Sequence, residues 1–69
     1  MVTCRVELTI GSGETRGTAR LKAVPEVGQA IEVRLDKGGV RIAIVDSVMP
    51  GSGAYAAYLT AHTVDDVGS

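Results

Sequence analysis

Phenylalanine and tryptophan are absent from these 69 residues, tyrosine occurs twice, and cysteine and histidine once each. Each shortage removes a class of function. Barrels that bind single strands stack bases on aromatic platforms set among basic side chains, and here neither Tyr55 nor Tyr58 lies among the bases. Proline-rich peptides need an aromatic-lined groove, which two tyrosines cannot build. Cys4 has no partner for an internal disulfide, and Cys4 with His62 falls short of a structural zinc ligand set. No stretch approaches the roughly 20 apolar residues that span a bilayer. Met1 to Ile10 carries Arg5 and Glu7 inside an alternating pattern, which predicts no signal peptide. With a lone thiol suited to a reducing compartment, the expected location is the cytoplasm, away from membranes.

Bases are missing from the last third of the chain. All seven (Arg5, Arg16, Arg20, Lys22, Arg34, Lys37, Arg41) lie at or before residue 41, giving that part +2, while Asp46, Asp65 and Asp66 leave the remainder at −3. The net charge of −1 argues against wholesale capture by nucleic acid or anionic lipid.

What is present is rhythm. Val2, Cys4, Val6, Leu8 and Ile10 alternate with Thr3, Arg5, Glu7 and Thr9, the period of a strand with one wet face. Gly11-Ser12-Gly13 interrupts it, and the alternation resumes from Thr15 to Ala23, which predicts a hairpin. Val24-Pro25-Glu26-Val27-Gly28 redirects the chain, because proline has no donor for a ladder and glycine tolerates positive φ. Ile31, Val33 and Leu35 form a third strand, and Lys37-Gly38-Gly39 the tip of a second hairpin. Along Val40 to Val48 the four consecutive apolar residues Ile42 to Val45 predict a central strand covered on both faces. Ala54 to Ala61 alternates like a strand, although its four alanines and a capping Ser52 also suit a helix; strand is the favoured reading.

Five short strands and glycine-rich turns predict an all-β fold, a small five-stranded SH3-like barrel or a strongly bent antiparallel sheet. The expected organisation is one β domain over 1–61 and a polar, frayed tail over 62–69. From Leu21 to Leu59 the chain resembles small bacterial SH3-like barrel proteins. The resemblance runs through Val24-Pro25-x-x-Gly28 before Ile31-x-Val33, then Ile44-Val45-x-x-Val48 and a closing tyrosine-containing strand. It implies a fold and brings no activity with it.

Candidate chemistry is thin. Gly11-Ser12-Gly13-Glu14-Thr15-Arg16-Gly17 has arginine where a dinucleotide loop needs its third glycine, and Glu14 would repel a pyrophosphate. Gly51-Ser52-Gly53 lacks a phosphate-binding lysine and reads as a flexible connection. His62, Asp65 and Asp66 with Ser47 or Ser52 contain the residue types of a hydrolytic triad, but so small a chain has no interior to wall off a pocket. Cys4 sits on the apolar face of its strand and reads as packing. The chain is therefore expected to be no enzyme and to hold no cofactor or metal of its own.

Two surfaces stand out. Arg5, Arg16, Arg20, Lys22, Arg34 and Arg41 fall mostly on solvent faces and could track a phosphate backbone, although Glu7, Glu32 and Asp36 share those faces and would pair with them. Ala54, Tyr55, Ala56 and Tyr58, with Ala43 and Val45 on an outer face, form the second: an apolar patch in which the two tyrosines point to opposite sides. The leading expectation is a non-catalytic interaction module that self-associates into a homo-oligomer through this patch. The alternatives are a nucleic-acid-binding barrel using the arginines, and an enzyme or metal site formed only between subunits around His62.

Overall fold

The alternation of β1 (Val2–Ile10) places Cys4, Val6 and Leu8 in the core of the structure, a computed structural model that describes residues 1–63. Gly11 and Ser12 form a two-residue loop into β2 (Gly13–Leu21), closed by the Ile10–Gly13 pair. Of the two loop residues only Gly11 has positive φ, at 59°, the pattern of a turn whose twist matches paired strands. β3 (Ala30–Leu35), β4 (Val40–Pro50) and β5 (Ala57–Thr63) complete the element order. Consecutive strands pair antiparallel, and β5 returns alongside β1 in parallel, closing an all-β barrel of the small SH3-like kind. No helix in the described residues is long and apolar enough to cross a membrane.

The interior is built largely from small side chains. Ala19, Ala43, Ala57 and Ala61 join Cys4, Val6, Leu8, Ile31, Val33, Val45 and Leu59, with Val2, Ile10, Leu21, Leu35 and Val48 packed around them. Gly17 is equally tight: a methyl group there would stand 2.5 Å from the Arg34 carbonyl oxygen and 2.7 Å from Cγ1 of Val33. The β2–β3 ladder is short, consisting of the Gly17–Leu35 and Thr18–Arg34 pairs, and the Asp36 N–H donates to the Arg16 carbonyl just beyond them.

β4 corrects the expectation of a strand covered on both faces. Ala43 and Val45 are fully buried and so are not on an outer face, whereas Ile42, just before them, is 47% exposed. A run of four apolar residues carries no phase, so its inward and outward members cannot be told apart from sequence. A bulge resolves the rest: Val45 pairs with Ala61 and Ser47 with Thr60, leaving Asp46 as the extra residue. The bulge switches the strand's parity, so that Val48 turns inward opposite Leu59 while Ser47 and Met49 face out.

The last strand is extended, and it runs through Thr63. His62 and Thr63 thus belong to the barrel and not to the frayed tail expected from residue 62 onward; the rest of that expectation, 64–69, lies outside the described residues. Ala54, Tyr55 and Ala56 precede β5. The two tyrosines are not on opposite faces: their ring centroids stand 6.0 Å apart, because Tyr55 occupies the turn, where strand alternation does not apply.

Candidate functional site

The ladders fix which outward side chains become neighbours. On β1 these are Thr3, Arg5, Glu7 and Thr9; on β2, Glu14, Arg16, Thr18 and Arg20; on β3, Glu32 and Arg34. This half of the barrel is polar throughout. β4 is the exception: it presents Val40, Ile42 and Ile44, then the polar bulge of Asp46 and Ser47, then Met49. Val40 is 49% exposed and Met49 62%. Tyr58 on β5 stands in register with Met49 on one side and with Arg5 on the other. A depression of about 410 Å³ lies over this junction, bordered by Arg5, Arg16, Ser47, Met49 and Tyr58.

Of the expected partner residues, the structure gathers Ala54, Tyr55, Ala56 and Tyr58 at one corner, where Tyr58 reaches the Ser52 hydroxyl at 3.4 Å. Ala43 and Val45 are withdrawn from the surface, and their places are taken by Ile42 and Ile44, on a strand expected to be covered on both faces. The signal that separates the two sets is registration with β5, where His62 lies opposite Ile44 and Ala61 opposite Val45.

The bases do not act as one group. Arg5 donates from Nη1 to Oδ1 of Asp36 at 3.0 Å and from Nη2 to Oδ2 at 2.7 Å, a two-pronged pair that ties β1 to the end of β3. Arg16 stands 3.9 Å from Glu7. Arg41 stands opposite Val33 on β3, not in the row that holds Arg34, and it too is exposed. Arg20 and Arg34 remain exposed on adjacent strands, beside Glu32, around a groove of about 160 Å³. Lys22 is exposed just beyond β2.

The Arg5–Asp36 pair makes stability pH-dependent in a defined direction. Hydrogen bonding from Arg5 holds the Asp36 carboxyl below its usual range, against partial desolvation, and the charges of Arg5 and Arg16 add to the effect. The same bond raises the Arg5 guanidinium further. Because the folded carboxyl titrates lower than the unfolded one, the pair stabilises the fold above the ordinary aspartate range near about pH 4 and ceases to do so as pH falls through the depressed value. Urea midpoints at pH 7 and pH 2.5 should therefore differ less in Asp36→Asn than in the parent; an unchanged difference would show that the pair contributes nothing.

His62 Nδ1 lies 2.8 Å and 3.0 Å from the carboxylate oxygens of Asp46, with both side chains about half exposed. The bulge is what turns Asp46 toward the ring, a pairing across 16 residues that sequence reasoning did not anticipate, having looked to Asp65 and Asp66. The latter two lie outside the described residues. Ser47 and Thr60 hydroxyls bond each other at 2.6 Å, whereas Ser52 faces Tyr58. Among the described residues no group of three His, Cys, Asp or Glu side chains could hold a metal ion. Burial pushes the Cys4 thiol up, opposed by a hydrogen bond with the Ala57 backbone, so this cysteine is a packed apolar group and a poor nucleophile. The chain matches no protein family, no characterised protein and no solved structure.

Proposed function

We propose that this chain is a non-catalytic interaction module that self-associates into a homo-oligomer through the outward face of β4. One observation carries the reading. Val40, Ile42, Ile44 and Met49 line the outside of a single strand, while the outer faces of β1 and β2 and the Glu32–Arg34 stretch of β3 are polar. β-branched and thioether side chains left in water on one flank, with Tyr58 beside them, are what an apolar contact surface requires. The size of the chain adds a reason: a single core in so short a domain yields modest stability, and burying this flank against a partner supplies more.

Size-exclusion chromatography with light scattering tests the reading at micromolar concentration. The expected parent mass is a multiple of the 7.1 kDa chain, and Ile42→Asp, which places a charge at the centre of the apolar row, should return it to a monomer with an unchanged β circular dichroism spectrum. A monomeric parent would overturn the proposal.

A further inference from the structure

The outer face of β3 and β4 carries two adjacent rows whose chemistry is complementary. In one row Glu32 lies opposite Ile42; in the next, Arg34 lies opposite Val40. The apolar members are half exposed, and neither Glu32 nor Arg34 makes an ion pair among the described residues. The pairs described above, Arg5 with Asp36, Arg16 with Glu7 and His62 with Asp46, involve neither of them. Two opposite charges on the rim of an apolar strip, each without an ion-pair partner among the described residues, call for a partner bearing the same charges in the opposite order.

We propose that a second copy of this chain supplies it, through a two-fold axis parallel to the barrel surface that crosses β3 and β4 midway between the two rows. This rests on the self-association proposed above and specifies its geometry. Rotation about such an axis exchanges the rows. Ile42 then packs on Val40 of the partner subunit, and Glu32 meets Arg34 of the partner subunit, with each contact made twice. β4 crosses β4 and β3 crosses β3, running antiparallel, as aligned sheets pack. The arrangement places the apolar residues at the centre and the charges at the rim, where they set orientation and partner choice. A stable interface takes about 800 Å² from each partner, less than a fifth of the chain's 4457 Å² surface, which is within the reach of two strand faces out of five.

Charge exchange tests this geometry. Glu32→Arg leaves two positive groups and Arg34→Glu two negative ones, so each variant alone brings like charges together at both rim contacts. Each should dimerise at least about tenfold more weakly than the parent, a 1.4 kcal/mol effect by the standard conversion. Mixed in equal amounts, the two should form a heterodimer at parent strength, because every rim contact is then attractive. Light scattering and native mass spectrometry of the separate and mixed variants read this out, with circular dichroism confirming that each is folded. Variants that dimerise like the parent, or a mixture that stays as weak as its components, would overturn the two-fold pairing and leave self-association standing. A parent that is monomeric under the same conditions overturns both.

Discussion

Replacing Leu59 with alanine is expected to lower stability by about 3 kcal/mol, within the range seen when buried leucines are truncated and the cavity relaxes only in part. Leu59 is 2% exposed and lies in register with Val6 of β1 on one side and Val48 of β4 on the other, so it fills the space where the barrel closes. Its neighbours in β5 are Ala57 and Ala61, which have no atoms to move into the gap. For a domain of this length the total stability is of the order of 0.05–0.15 kcal/mol per residue, so one truncation removes more than about a quarter of it. The thermal midpoint should fall by roughly 15 °C. Leu59→Met, which keeps the volume, should cost less than about 1.5 kcal/mol. Urea denaturation of the two variants checks the contrast; equal losses would mean that filling this space is not what Leu59 does.

The second large effect concerns backbone proximity. Gly17→Ala introduces a methyl group 2.5 Å from the Arg34 carbonyl oxygen and 2.7 Å from Val33, neither of which is the free end of a flexible chain. The substitution must push β2 from β3 at one of the two register pairs that join them. A cost of roughly 2 kcal/mol or more follows from forced displacement in a packed interior. Hydrogen exchange gives the local signature: the Asp36 amide, which donates to Arg16 across this junction, should lose protection before amides of the β1–β2 ladder. Gly13→Ala is the control on the same strand, since its nearest neighbour is the Ile10 carbonyl at 3.6 Å and its φ is not positive. It should change stability by no more than about 0.5 kcal/mol.

The sequence was most legible where side chains alternate cleanly. Thr3, Arg5, Glu7 and Thr9 against Cys4, Val6 and Leu8 leave a single way to lay β1 on a core, and the structure adopts it. β4 defeated the same reasoning for two physical reasons. Ile42 to Val45 are all apolar, so hydrophobicity alone could not choose between Ile42 with Ile44 and Ala43 with Val45 as the inward set; the narrow interior takes the smaller pair. The bulge at Asp46 then shifts the parity, which a period-two pattern cannot anticipate. These two facts decide the candidate surface. Tyr58 and Ala56 could be placed outside from sequence, but the isoleucines that complete the apolar face could not. The Arg5–Asp36 pair spans 31 residues and depends on β3 ending beside β1 across β2, which only the assembled barrel shows.

The parallel contact between β1 and β5 constrains how the protein can be made. Cys4 finds Ala57, and Val6 finds Leu59, only once the ribosome has delivered almost all of the described chain. Until then the nascent Val2–Ile10 segment has one lateral edge unmatched, and that edge can recruit strands from neighbouring polypeptides. Chaperone access over that interval should therefore bear on the yield of native protein.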